Sequence, residues 1–347
     1  MKILLACDRS KGHSHPALVL ARYIKEHYPY YRVVFYGLKK QDAEGLREEG
    51  FGCFGHDIGR RPIIIEGIFL FFEALILLVR LRPARVLGFG GRNSFFIVLF
   101  SSLFVPTFLF EPNATYGRAN RVLSFFCRKV FLGLKKPAQA KEVTAGVPLR
   151  DEIVGVKLDR RQALQKVGLD HGPMTILVFG GSLGSSFINH VFPQAVALLK
   201  ERSKDVQVIH VAGQKQSEEV RRAYQQMGIK AAVFDFYPRM GVLYIAADAV
   251  IARSGASTLA EICFCAKPAL LIPYPYAYRH QSKNAGFLLE RAAALSAEQF
   301  SLNNQRLRDI VDTLLKDKNR ASLSENAKKQ KIWSTQEEFS KNILSHM

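Results

Sequence analysis

Two short apolar runs, Val250-Ile251-Ala252 and Pro268 to Ile272, flank a polar turn (Arg253-Ser254-Gly255) and a stretch of helical composition from Ala256 to Ala266. Strands joined through a helix run parallel, and a parallel sheet needs cover on both faces. This stretch therefore commits the chain to an open α/β sheet. Helices of such a sheet start at the carboxyl ends of strands, where ligands bind and free N–H groups favour phosphate. Ser254, Ser257, Thr258 and Glu261 crowd that start. The Thr258/Glu261 spacing is also that of a capping box, a purely structural use. The next loop, Tyr274 to Lys283, gathers three tyrosines, an Arg, a His and a Gln, which favours a ligand site.

The pattern recurs. Thr175 to Phe179 reads as a strand, Gly180-Gly181-Ser182-Leu183-Gly184-Ser185 as a turn, and Ser186 to Lys200 as a helix. With the Ser182 hydroxyl and several N–H groups, this turn is the better phosphate candidate. Val206 to Ala212, Ala232 to Phe236 and Ala249 to Ile251 continue the alternation. Earlier, the strand Ile3 to Ala6 runs into a polar turn from Asp8 to Pro16 and a helix from about Ala17 to Glu26. Arg32 to Tyr36 and Val86 to Gly88 read as strands, the latter entering the turn Phe89-Gly90-Gly91 and a helix, Phe95 to Phe104. Thr107 to Phe110 ends at Glu111-Pro112-Asn113. The expectation is two doubly wound Rossmann-like domains, 1–153 and 154–325, with a helix over 326–347 packing back on the first. A length of 347 residues suits two domains.

The formal charge of +19 calls for an anionic partner. Between Ala74 and Lys141 there are eleven Lys or Arg and one acid, Glu111. Overlapping its start is Ile63 to Val79, nearly long enough to span a bilayer, flanked by Arg60, Arg61, Arg80, Arg82 and Arg85. Glu66 and Glu73, seven apart, share one helix face and would be costly in hydrocarbon. The reading is a helix dipping into an interface or packed half on the core, drawn to anionic lipid. No nucleic-acid-binding motif accompanies the charge. Five scattered cysteines without a C-x-x-C pair suggest a reducing compartment, with neither disulfide nor metal role. The apolar part of the N-terminus is too short for a signal peptide and reads as a strand.

The blocks S-K-G-H-S-H-P, G-F-G-G, E-P-N, G-V-P-L-R, G-G-S-L-G, R-S-G-A-S-T-L-A-E and R-H-Q-x-x-N-A, in that order from Ile3 to about Ala293, resemble the MurG family. These are peripheral-membrane transferases that move N-acetylglucosamine (GlcNAc) from UDP-GlcNAc to lipid I in peptidoglycan synthesis. The resemblance implies the GT-B fold, with two Rossmann-like domains facing a cleft, at the cytoplasmic face of the plasma membrane. It implies UDP-GlcNAc, lipid I and an anionic membrane surface as partners, with other cell-wall synthesis proteins possible, and no cofactor or nucleic acid. It places Ser182 at the UDP phosphates, and Ala256, Ser257 and Thr258, with Arg253, Leu259 and Ala260 of the same block, along the nucleotide. Glu261 falls on the donor ribose, Gln281 on the sugar and Tyr237 beside the uracil. Ser10, Lys11 and Gly12 match the first loop, Asn113 and Arg150 match substrate contacts, and His13 and Glu111 the candidate catalytic pair.

Lys11, His15, Arg92, Val147 and His280 depart from the family pattern, mostly in the acceptor-side half. The chain has no Asp-x-Asp to hold a metal against a diphosphate. Helix starts at Ser182 and Ser257, with cations such as Arg253, are then expected to bear the leaving-group charge. Direct displacement inverts the anomeric centre, with His13 or Glu111 as base and His13 favoured by its pKa. Two other classes share the residues: a UDP-GlcNAc 2-epimerase, which would want more carboxylates, and a non-catalytic nucleotide-sugar subunit at the membrane.

Overall fold

The structure, a computed structural model, describes residues 1–8, 11–55, 63–181, 184–200, 205–276 and 280–347, and only the backbone at 11, 13, 41, 63–65 and 200. It divides into two units: Met1–Pro148 with Ser334–Met347, and Leu149–Trp333.

The first unit is built on strands β1 (Lys2–Ala6), β2 (Arg32–Tyr36), β3 (Gly52–Phe54), β4 (Arg85–Gly88), β5 (Thr107–Glu111), β6 (Lys129–Leu132) and β7 (Glu142–Thr144). They form a parallel sheet in the order β3-β2-β1-β4-β5-β6-β7. Alternation along β1 explains the two layers of helices. Ile3 and Leu5 face one core with Phe35, Phe110 and Phe131. Leu4 and Ala6 face another with Val34, Leu77 and Leu132. The C-terminal helix Gln336–Leu344, opened by a capping box of Thr335 and Glu338, adds Phe339 and Ile343 to the first core.

The helix after β1 runs from Lys11 to His27, so Lys11 to Pro16, expected in a turn, are helical. Pro16 lies inside it, in the second turn, where its absent N–H removes the helical bond to the Gly12 carbonyl. The helix Ile63–Leu81 is apolar on two faces, with Leu70, Ala74, Leu77 and Leu81 packed inward. Glu66 and Glu73 are buried: Glu73 Oε2 accepts from Tyr36 Oη at 2.7 Å, and Glu66 Oε2 pairs with Arg92 Nη2 at 2.5 Å. Ile68, Phe72, Ile76 and Val79, recurring at helical spacing, point to solvent, Val79 with 72% of its surface exposed. Leu103, Phe104, Phe125 and Phe126 of the same unit are exposed too. Among the described residues no helix is long and apolar enough to cross a membrane.

Two-residue strands, β8 (Val147–Pro148) and β15 (Trp333–Ser334), mark where the chain leaves the first unit and returns to it. The expected boundaries move accordingly. Val154 ends the helix Asp151–Val154, whose Ile153 is buried, so the crossing comes earlier. Residue 326 falls inside the helix Asp317–Lys328, held in the second unit by buried Leu323 and Ala327.

The second unit uses β9 (Met174–Phe179), β10 (Val206–Val211), β11 (Ala231–Phe234), β12 (Ala249–Ala252), β13 (Ala269–Leu271) and β14 (Leu295–Ser296). The sheet is again parallel, ordered β11-β10-β9-β12-β13-β14. Ile176 and Val178 of β9 pack with Ile188, Phe192 and Val196 of the helix Ser186–Lys200 and with Leu307 and Leu314. Strand order reverses between β9 and β12, which puts a crevice at their carboxyl ends. All five cysteines are free thiols.

Candidate active site

At the switch point of the second sheet, three turns meet and Arg253 ties them together. Its guanidinium is buried; Nη1 donates to the Ile272 and Pro273 carbonyls, both at 3.0 Å. Nη2 donates to Ser185 Oγ and to Gln299 Oε1, both at 2.7 Å. Burial lowers its pKa from the usual arginine range. The sequence suggested a cation for a phosphate. With both terminal nitrogens engaged, Arg253 instead joins the turn after β12 to those after β9 and β13.

The glycine turn after β9 has its own constraint. Gly184 holds φ +75°, and a Cβ there would run into the Ala212 carbonyl oxygen, so only glycine fits. Ser185 Oγ also accepts, weakly, from Ile188 N at 3.4 Å. Ser182 lies outside the described residues.

The helix Ala256–Phe264 begins after Gly255 with no side-chain cap, so its first N–H groups are left for a ligand. Ala256, Leu259 and Ala260 are buried, whereas Ser257 and Thr258 are half-buried at this start. Gln281 links it to the next segment: its Oε1 accepts from Ser254 N at 3.2 Å and Tyr274 N at 3.0 Å. Its carbonyl accepts from Ser254 Oγ at 2.8 Å. Asn284, the asparagine of the R-H-Q-x-x-N-A block, donates to the Ser254 carbonyl at 3.0 Å. Tyr237 is half-buried, its ring edge-on to Phe234 with centroids 4.8 Å apart.

Glu261 does not cap the helix, which overturns the capping-box reading. The carboxylate turns inward and is buried. Oε1 accepts from Arg150 Nε at 3.1 Å and Nη2 at 2.9 Å, and Oε2 from Tyr244 Oη at 3.0 Å. Burial raises the pKa of Glu261, while the Arg150 charge and these hydrogen bonds oppose the rise. Burial pulls Arg150 down, but the Glu261 carboxylate more than reverses it. Tyr244 was missed because nothing local in the sequence marks it.

In the first unit Glu111 is buried and both its oxygens are engaged. Oε1 accepts from Asn113 N (3.1 Å) and Nδ2 (2.9 Å); Oε2 accepts from Gly117 N (2.8 Å) and Asn120 Nδ2 (3.0 Å). The carboxylate shapes the loop 112–117 and presents Asn113, an arrangement that suits a loop anchor better than a base. Glu142 fastens the same loop from its other side, accepting from Tyr116 Oη at 2.7 Å and Lys135 Nζ at 3.0 Å. Gly12 is exposed in the helix Lys11–His27. Ser10 and the side chains of Lys11 and His13 lie outside what is described. Arg92, by its ion pair with Glu66, ties the turn after β4 to the outward-facing apolar helix.

Residues 175–346 match the model of the glycosyltransferase family 28 C-terminal domain. A UDP-N-acetylglucosamine–N-acetylmuramyl-(pentapeptide) pyrophosphoryl-undecaprenol N-acetylglucosamine transferase of Desulfotalea psychrophila is 32% identical over 327 residues, covering 89% of this chain and 87% of the relative. Among solved structures, Acinetobacter baumannii MurG superposes with a TM-score of 0.81 at 23% identity over 99% of both chains. A putative UDP-N-acetylglucosamine 2-epimerase from Listeria monocytogenes gives 0.71 at 13% identity, covering 99% of this chain and 95% of that one. These two structural likenesses speak for a GT-B fold, which transferases and epimerases share.

Proposed function

The chain belongs to the MurG family of N-acetylglucosaminyltransferases, and from that premise we propose that it moves GlcNAc from UDP-GlcNAc to the N-acetylmuramyl residue of undecaprenyl-pyrophosphoryl-MurNAc-pentapeptide. The reading is carried by the turn after β12: an uncapped helix start with a buried acid behind it, at the switch point of the second sheet. That combination offers N–H groups to a diphosphate and a carboxylate to a ribose diol.

In the proposed reaction the acceptor hydroxyl attacks the anomeric carbon as the bond to UDP breaks. UDP leaves with the electron pair, and configuration inverts. The start of the helix Ala256–Phe264 and the glycine turn before Ser186 receive the developing negative charge. Arg253 keeps those turns in register rather than meeting the phosphate. His13 takes the acceptor proton, and Glu111 holds the loop that carries Asn113. Tyr237 completes the nucleotide side, while Leu259 and Ala260, matched to nucleotide contacts by the resemblance, are wholly buried and support the helix from the core; Gln281 offers its amide N–H groups to the sugar.

The acceptor's lipid chain cannot leave a bilayer, so the protein works peripherally at the cytoplasmic face of the plasma membrane. The outward face of Ile63–Leu81, next to Arg80, Arg82 and Arg85, supports this reading. Labelled UDP-GlcNAc, supplied with and without the lipid acceptor in anionic vesicles, tests the whole proposal. Transfer of label to lipid only when both are present is expected. Formation of a 2-epimer of the nucleotide sugar, or UDP-GlcNAc binding without turnover, would overturn it.

A further inference from the structure

We propose that Arg150 and Tyr244 are positioning residues that hold Glu261 ready for the donor's ribose, and that one Arg150 bond gives way to a ribose hydroxyl when the nucleotide binds. This rests on the reading that Glu261 meets the ribose. A carboxylate has about four acceptor places. Arg150 Nε and Nη2 take two on Oε1 and Tyr244 Oη takes one on Oε2. A vicinal diol brings two O–H donors to the single place left, so a bond must yield.

The surroundings decide which one. Tyr244 is fully buried, on the helix Met240–Ala246, with its ring edge-on to Phe179 at 6.1 Å between centroids. Moving it would disturb the core. Arg150 is less enclosed and has a second partner in place, Glu152 Oε1, 3.1 Å from its Nη1. It can shift onto Glu152 without leaving its charge bare. Among the described residues, four titratable groups face Glu261: Arg150 and Glu152 from the segment entering this unit, Tyr244 from its helix, and Cys265 just beyond the end of Glu261's own helix. Only Arg150 among them is a cation. Burial favours the protonated acid, and the Arg150 charge is the strongest influence against it, ahead of the Arg150 and Tyr244 hydrogen bonds, so loss of Arg150 should favour protonation of Glu261.

Calorimetric titration of the whole protein with UDP across pH 6 to 9 tests this, UDP's own ionisation being common to all variants. Arg150→Met should move the midpoint of UDP affinity at least about one pH unit above wild type. Below that midpoint affinity falls about tenfold per unit, and it recovers at the alkaline end. Arg150→Lys should largely keep the wild-type midpoint, and Tyr244→Phe should raise it by less than Arg150→Met. Glu261→Gln should weaken UDP and abolish the dependence. An equal loss at every pH in Arg150→Met would make Arg150 a direct phosphate contact and overturn the proposal, as would no change at any pH. Wild-type UDP affinity in Glu261→Gln would instead sink the ribose reading itself. If melting shows Arg150→Met unfolded, Tyr244→Phe decides: an unmoved midpoint overturns the proposal.

Discussion

The imidazole of His210 is wholly inside the second unit, between Asn189 Oδ1 at 3.0 Å from Nε2 and Tyr224 Oη at 2.9 Å from Nδ1. Asn189 Nδ2 donates to the Ala212 carbonyl and Gln216 Oε1, so its Oδ1 must accept. The ring is therefore neutral with hydrogen on Nε2, and Tyr224 donates to Nδ1. Burial lowers its pKa to about 3, against about 6.5 unfolded. The unfolded chain takes the proton first. This stability is complete above about pH 6.5 and is lost as pH falls toward 3, by up to about 1.4 kcal/mol per unit. Urea unfolding from pH 7 to 4 should show that slope, and His210→Gln should flatten it. Glu111 makes a second residue-scale prediction. Glu111→Gln disturbs four hydrogen bonds, so it should lower turnover yet leave the acid limb of the pH–rate profile, whereas His13→Ala should remove the limb. Loss of the limb in Glu111→Gln would return the base role to Glu111.

The helix Ile63–Leu81 buries Glu66 and Glu73 beside Leu70, Ala74, Leu77 and Leu81 and leaves a second apolar face exposed, and the two faces predict opposite phenotypes. Replacing Phe72 and Ile76 with Ser removes surface already exposed to water, so the melting temperature should hardly move. Vesicle binding should drop at least tenfold, since each inserted side chain contributes about 1.5–3 kcal/mol when fully buried. Glu73→Ala should do the reverse: it orphans the Tyr36 hydroxyl and costs about 1–3 kcal/mol of stability with little effect on vesicles. Reversing Arg80, Arg82 and Arg85 to Glu should release the protein from anionic vesicles while UDP binding persists. Binding should also weaken with salt, as the Debye length shrinks to about 3 Å at 1 M. Equal binding to neutral and anionic vesicles would return this helix to a purely structural role.

For the molecule as a whole, transfer should survive EDTA, because the proposed leaving-group charge rests on helix N–H groups. Complete loss restored by Mg²⁺ would refute that. What could be read from the sequence follows from range. Strands such as Met174–Phe179 are apolar runs closed by glycine, and both ends of the signal lie within a few residues. Arg150 and Glu261 are 111 positions apart, and only the fold brings them into contact with each other and with Tyr244. The shared face of Glu66 and Glu73 was legible, but not that it points inward, because that depends on Tyr36 and Arg92 in other elements. Lys11 to Pro16 misled because proline more often opens a helix than sits in its second turn. If the outward face of Ile63–Leu81 holds the protein at a bilayer, as proposed, it also sets the variable that governs rate. An enzyme held in the plane of its lipid substrate encounters it in two dimensions, so adding inert anionic lipid at constant total acceptor should slow transfer by dilution within the surface.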